Sequence, residues 1–159
     1  MTKEEFINHV EATQTSLRRF LVALCCGDAQ LADDVAQESY IKAYLSCADF
    51  NNAAKFNAWI FRIAYNTFLN HRRSQRIFCD YYEVRDISAP SGADEAFRYQ
   101  ELYAALESLQ CNERSALLLH YMQGYTVKEI AAILDASQDA VKQYLSRGRR
   151  HLRGLLATD

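Results

Sequence analysis

The sequence predicts an all-α protein of two small helical domains joined by a flexible linker. Three observations carry that expectation. The 159 residues include one Pro and five Gly, and so few breakers favour long helices over a many-turned sheet fold. Apolar residues recur at helical spacing through most of the chain, with no sustained period-two alternation bounded by Asn-Gly or Asp-Gly turns. Only residues 79–94 lose the pattern, and they hold Pro90 followed by Ser91-Gly92. The division expected is a first domain over 1–78, a linker over 79–94 and a second domain over 95–159.

The elements follow in order. Residues 4–25 place Phe6, Val10, Leu17, Leu21 and Leu24 on one helical face; Gly27 stops the helix and Asp28 caps the next. Residues 29–47 form a second helix with Leu31, Val35, Ile41 and Leu45 expected inward. A polar loop covers 49–55. A third helix over 54–77 buries Phe56, Trp59, Ile60, Ile63, Ala64 and Thr67. On another face it carries Arg62, Asn66, Asn70 and Arg73. Beyond the linker, Leu102, Leu106 and Leu109 mark a helix, and Asn112 is the expected cap of the next. That one has Leu117, Leu118 and Tyr121 on its apolar side and Gly124 at its end. Thr126-x-x-Glu129 is a capping box, in which hydroxyl and carboxylate satisfy orphan backbone donors reciprocally. It opens a short helix burying Ile130, Ala131 and Leu134. After a turn at Asp135-Ala136, Ser137 caps a last helix with Val141, Leu145, Gly148, Leu152 and Leu155 inward.

Composition narrows the function. Half the residues are apolar, enough for a packed core. The longest apolar run, residues 20–26, is far short of the roughly 20 residues of a membrane span, and the N-terminus lacks a signal-peptide pattern; no membrane insertion and a cytoplasmic location are expected. Five Cys without CxxC or nearby His at ligand spacing read as reduced thiols, with no metal and no cofactor expected. The net charge of −2 is unevenly spread: residues 61–79 carry four basic groups and no acidic ones, and 141–159 carry five and one. Local field decides whether a phosphate backbone is attracted, and these two segments point to DNA.

Three constellations stand out. A short capped helix, a tight turn and a longer helix make a helix-turn-helix, whose second helix probes the major groove. Its outward positions are Gln138, Asp139, Lys142, Gln143, Ser146, Arg147, Arg149 and Arg150, with Thr126 at the start of the motif. Gln and Arg near the helix start suit base edges; Arg further along suits phosphates. The third helix sets Phe50, Phe56, Trp59, Phe61, Tyr65 and Phe68 among Lys55, Arg62, Arg72, Arg73 and Arg76, a mixture that suits stacking and neutralising single-stranded DNA, although Phe56 and Trp59 read as core first. Asn51 and Asn52 carry amides able to read an extruded base edge. Asp33, Asp34, Gln37 and Glu38 form an acidic helix face, with Ile41 beside it; no His or third carboxylate converges there, so docking on a basic partner is favoured over acid–base chemistry. No constellation has the nucleophile or metal set of an enzyme.

At these three places the chain resembles the bacterial sigma-70 family, in its small extracytoplasmic-function group. Asp33-Asp-Val-Ala-Gln-Glu-Ser-Tyr-Ile-Lys-Ala-Tyr44 is similar to the helix with which that family docks on core RNA polymerase. Phe56-Asn-Ala-Trp-Ile-Phe-Arg-Ile-Ala-Tyr-Asn66 is similar to its promoter-melting and minus-ten helix. Tyr125-Thr-Val-Lys-Glu-Ile-Ala-Ala-Ile-Leu134 with Val141-Lys-Gln-Tyr-Leu-Ser-Arg-Gly-Arg-Arg150 is similar to its minus-35 helix-turn-helix. The resemblance implies a sigma factor that binds core polymerase, promoter DNA and an anti-sigma factor. Asp135 departs from the family's usual Gly, Asp139-Ala140 from its usual small residue and Thr, and Asn70 from a frequent Asp. The alternatives are a dimeric helix-turn-helix regulator that does not dock on polymerase, and a protein-interaction module that no longer binds DNA.

Overall fold

The computed structural model describes residues 1–50, 55–79 and 93–156. Among them seven α-helices and two short helical turns follow one another, with no strand. Helix α1 (Lys3–Leu24) opens with a capping box absent from the expectation above. Thr2 N–H donates to Glu5 Oε2 at 3.0 Å, and Glu5 N–H donates to Thr2 Oγ1 at 3.3 Å; the signal, Thr-x-x-Glu, stood in the sequence. The helix runs down through two left-handed residues, Cys26 (φ 55°) and Gly27 (φ 91°). At Gly27 a side chain would also meet the Tyr103 ring, its Cβ 2.8 Å from Cδ2, so the turn needs glycine twice over. Asp28 then caps α2 (Ala29–Ser46), accepting from Leu31 N–H at 3.0 Å. A 3₁₀ turn (Cys47–Asp49) leads toward α3 (Phe56–Cys79).

The second half begins with α4 (Ala93–Ser108) and α5 (Cys111–Leu117). Asn112 does not cap α5: the helix starts one residue before it, and the Asn112 side chain accepts from the adjacent Glu113 N–H at 2.8 Å. A single π turn (Leu118–Met122) continues α5, and Gly124 (φ 75°) ends it. The capping box forms as expected at the start of α6 (Val127–Leu134), with Glu129 N–H donating to Thr126 Oγ1 at 3.2 Å and Thr126 N–H to Glu129 Oε1 at 3.1 Å. Ser137 caps α7 (Gln138–Leu156) by accepting from Ala140 N–H at 3.1 Å. Gly148 lets α7 cross α5 closely, since a Cβ there would lie 2.6 Å from Leu117 Cδ1.

Helices α1, α2 and α3 pack as one group and α5, α6 and α7 as another, but a single continuous core runs through both. Phe61 of α3 meets Tyr125 edge-on at 5.5 Å between ring centroids. Gln123 Nε2 donates to Ser16 O at 3.1 Å. Arg114 is buried, and its guanidinium donates to the carbonyls of Leu24 (2.8 Å), Leu106 (2.7 Å), Leu109 (3.2 Å) and Glu107 (3.3 Å). Helix C-termini leave carbonyls without partners and carry the negative end of the helix dipole. One cation therefore satisfies the ends of α1 and α4 together, across the two groups.

Several expected orientations are corrected. Ile41 and Leu45 do not face inward; they are 56% and 76% exposed, because the core takes Ala32, Val35, Ser39 and Ala43 from the other side of α2. In α6 Ile133 is buried and Leu134 only half-buried. Tyr121, Leu102 and Leu155 are exposed. Phe61, Tyr65 and Phe68 are buried, not offered to DNA: they belong to the core that joins α3 to its neighbours. Of the expected linker, 79 ends α3 and 93–94 begin α4; the rest lies outside the described residues, as do Asn51 and Asn52. No described helix is long and apolar enough to cross a membrane.

Candidate nucleic-acid interface

Helix α3 has three faces. Phe56, Ile60 and Ala64 turn into the core with α1 and α2. Phe61, Tyr65 and Phe68 form a second buried face, where Phe61 sits between Phe20 of α1 (5.2 Å between ring centroids) and Tyr125 (5.5 Å); burial holds the Tyr65 phenol above the ordinary tyrosine range, with its bond to Ser115 pulling the other way. The third face leaves Arg62, Asn66, Asn70 and Arg73 exposed, as their i, i+4, i+8, i+11 spacing requires. Arg62 is not wholly open: its Nη2 lies 3.8 Å from Asp135 Oδ1 at the turn of the helix-turn-helix. Arg72 lies against the Cys111 thiol. At the head of α3, Trp59 stacks on Phe50 with ring centroids 4.3 Å apart and planes 7° from parallel, and meets Phe56 edge-on at 5.6 Å. Both Trp59 and Phe50 are half-buried and Lys55 is exposed. An aromatic sandwich with open edges thus adjoins the polar stripe.

Helix α7 is simpler. Val141, Leu145 and Gly148 face the core, and Gln138, Asp139, Lys142, Gln143, Ser146, Arg147, Arg149 and Arg150 are all exposed. The Arg149 guanidinium lies 5.8 Å from the centre of the Tyr121 ring, a cation–π contact that steadies the side chain without consuming its charge. Beneath it, buried Glu113 bonds His151 Nδ1 at 3.2 Å and so ties α7 to α5. Thr126 is exposed, but its hydroxyl and amide are occupied by the capping box. The cationic face is therefore held rigidly from behind and open in front, which suits phosphate neutralisation.

The acidic face of α2 is partly occupied. Asp33 pairs with Arg18 at 2.9 Å. Glu38 pairs with His71 at 2.6 Å and Lys42 at 3.3 Å, and the His71 contact, with the Lys42 ammonium, holds its carboxyl below the usual carboxylate range. Asp34 and Gln37 are exposed, beside Ile41. Tyr44 (46% exposed) and Leu45 extend that apolar surface; the sequence reading missed them because it gave Leu45 to the core. The signal was the register: Ala32, Val35, Ser39 and Ala43 already complete an inward face at small-residue spacing.

A groove of about 1280 Å³ opens between α1, α4, the π turn and α7. Its floor includes Val22, Leu102 and Leu118, its rim carries Arg18, Arg19, Arg149 and Arg153, and no carboxylate lines it among the described residues. Cys25, Cys26, Cys47 and Cys111 are free thiols. Burial, with Asp28 nearby, pushes Cys25 up to about 12, which suits inert thiols. No described cluster has the make-up of a metal site.

Residues 9–77 match the family model for sigma-70 region 2, and residues 99–152 that for sigma-70 region 4. The chain is 30% identical to the ECF RNA polymerase sigma factor EcfG of Rhodopseudomonas palustris over 151 residues, covering 93% of this chain and 83% of that one. It is 32% identical to the ECF RNA polymerase sigma-E factor of Escherichia coli over 132 residues, covering 73% and 69%. Its fold is that of the sigma factor RpoE from Bartonella quintana, solved with the anti-sigma factor NepR. The TM-score is 0.83 at 23% identity, with coverage of 98% and 99%. The chain belongs to the sigma-70 family of RNA polymerase sigma factors, in the extracytoplasmic-function group.

Proposed function

We propose that this sigma factor binds promoter DNA through two surfaces at once and opens the duplex between them and the start site, while α2 holds core RNA polymerase. Sigma factors are transcription initiation factors and not enzymes, so binding energy in place of bond chemistry has to do the work. The acidic and apolar side of α2 (Asp33, Asp34, Gln37, Glu38, Ile41, extended by Tyr44 and Leu45) docks on a basic, partly apolar element of the polymerase. Within the region 4 domain (95–159), α7 enters the major groove of the minus-35 element, with Gln138, Asp139, Lys142 and Gln143 toward base edges. Ser146, Arg147, Arg149 and Arg150 lie toward phosphates. Within the region 2 domain (1–78), Arg62, Asn66, Asn70 and Arg73 follow the minus-ten strand. Asn51 and Asn52, with Trp59 and Lys55, capture a non-template base that has left the stack. Unstacking costs a few kcal/mol, which pocket contacts and the polymerase clamp together outweigh.

The observation that carries this reading is the presence of two separate open polar-cationic helix faces, on α3 and α7, in one chain; a simple helix-turn-helix regulator needs only the second. The acidic segment 79–94 follows a basic channel of the polymerase. An anti-sigma partner presents an acidic amphipathic helix to the groove between α1, α4 and α7, whose apolar floor and four-Arg rim suit it. The setting is the cytoplasm. Run-off transcription with purified core polymerase tests the proposal. Addition of the chain should yield a discrete promoter-dependent transcript, and the isolated chain should bind the same DNA only weakly. No transcript, or tight dimeric binding to a palindrome without polymerase, would overturn it.

A further inference from the structure

Asp135 occupies the turn of the helix-turn-helix in a left-handed conformation, φ 53° and ψ 51°. Glycine adopts that geometry without strain and is the ordinary residue after a helix end, while aspartate is tolerated there, so the backbone permits this residue without requiring it. Its carboxylate, 81% exposed, does have a partner: Arg62, half-exposed on the polar stripe of α3, at 3.8 Å. Immediately beside that pair, buried Phe61 is packed edge-on against Tyr125, the residue just before the Thr126 cap of α6. Arg114 and Gln123 supply further ties between the two halves, donating to the Leu24 and Ser16 carbonyls of α1.

We propose that Asp135 is an internal counter-charge that latches the helix-turn-helix half over α3 and shields Arg62 from DNA in the free chain. The carboxylate stands on Arg62 in place of a phosphate, so DNA that recruits Arg62 has to displace it. The inference rests on α3 as a DNA-facing helix and adds a regulation of that surface: the free chain is self-screened, and separating the halves exposes Arg62. Because the pair is exposed to solvent its strength is modest. Removing it should tighten DNA binding by roughly two- to fivefold, not by orders of magnitude.

The experiment compares the wild-type full chain with Asp135→Asn, Asp135→Gly and the reversed pair Arg62→Glu/Asp135→Arg. Asn and Gly both tolerate the left-handed turn, so loss of folding does not confound the result. Hydrogen–deuterium exchange over residues 59–66 and 126–136 reads closure. Anisotropy of a fluorescein-labelled mixed-sequence duplex with an unpaired segment reads access to α3. The expected result is faster exchange in both segments and tighter binding for Asp135→Asn and Asp135→Gly. The reversed pair should restore wild-type protection yet bind DNA more weakly than Asp135→Asn, because Arg62 is gone. Unchanged exchange in Asp135→Asn, faster exchange with unchanged affinity, or a reversed pair that exchanges as fast as Asp135→Asn would each overturn the latch. If wild-type chain and core polymerase produce no run-off transcript, the sigma-factor reading of α3 fails instead, while the exchange arm still decides whether Asp135 closes the molecule.

Discussion

Helices α3 and α7 look alike in sequence, each an Arg-bearing helix with a periodic apolar stripe, yet the fold treats them differently. Helix α7 rests on α5 and α6 along one face and keeps its whole cationic face in solvent. Helix α3 is enclosed on two sides: Phe56 and Ile60 against the first group of helices, Tyr65 toward the second, and Phe61 between Phe20 of α1 and Tyr125. Its arginines diverge accordingly. Arg73 is exposed, Arg72 is half-buried beside Cys111, and Arg62 faces Asp135. A count of basic groups therefore measures the potential for DNA binding, and packing decides its availability. Helix α7 presents its whole cationic face, whereas α3 presents a narrower exposed stripe on which Arg62 faces Asp135.

Substitutions test this contrast. Phe61→Ala should have the largest effect, since it removes a buried ring on the side of α3 that α7 has no counterpart for. A loss of about 3–5 kcal/mol in urea-induced unfolding is expected; a loss below about 1 kcal/mol would mean that the second enclosed face of α3 contributes little. Arg114→Ala comes next. It leaves carbonyls at the ends of α1 and α4 without their buried donor, and about 2–4 kcal/mol should be lost in the same measurement. It should also loosen α3 relative to α7, seen as faster hydrogen exchange in residues 59–66 than in 141–148.

Arg149→Ala should behave oppositely. Unfolding should change by less than about 0.5 kcal/mol, while the salt dependence of holoenzyme binding to promoter DNA should fall by about one unit of slope. A change of preference at a single base pair would assign Arg149 to base reading instead. The smallest effect belongs to Glu38, which links α2 to α3 through His71. Its folded-state carboxyl is held below the ordinary range, so its stabilisation is complete above the unfolded value and disappears as pH falls through the depressed folded one. Glu38→Gln should flatten that part of the acid-denaturation curve. The amplitude should be below about 1 kcal/mol, because the side chain is 43% exposed and solvent screens the pair.

Much of the site is legible in the sequence alone. The stripe Arg62, Asn66, Asn70, Arg73 and the outward face of α7 followed from helical spacing alone, because a helix fixes which residues share a face. The capping box at Thr126 and the caps at Asp28 and Ser137 followed from short-range hydrogen-bond chemistry. Reading Phe61, Tyr65 and Phe68 as stacking platforms failed for an identifiable reason. Placed next to Arg they fit a single-strand surface, but with Phe56, Ile60 and Ala64 they give α3 apolar groups on two faces, and such a helix is buried on both. Ile41 and Leu45 failed in the opposite sense, since large side chains were preferred for the core where Ala32, Ser39 and Ala43 in fact let α2 approach closely.

The helices, most of their ends, the separation of two basic segments and the family are written in residue spacing and in neighbours a few positions apart. The tertiary structure alone decided which apolar face met which partner, that Arg114 would join the ends of α1 and α4, and that Asp135 would lie on Arg62. Contacts between residues 70 to 90 positions apart depend on how separate helices dock, and no local pattern encodes the distance between two side chains that only a shared core brings together.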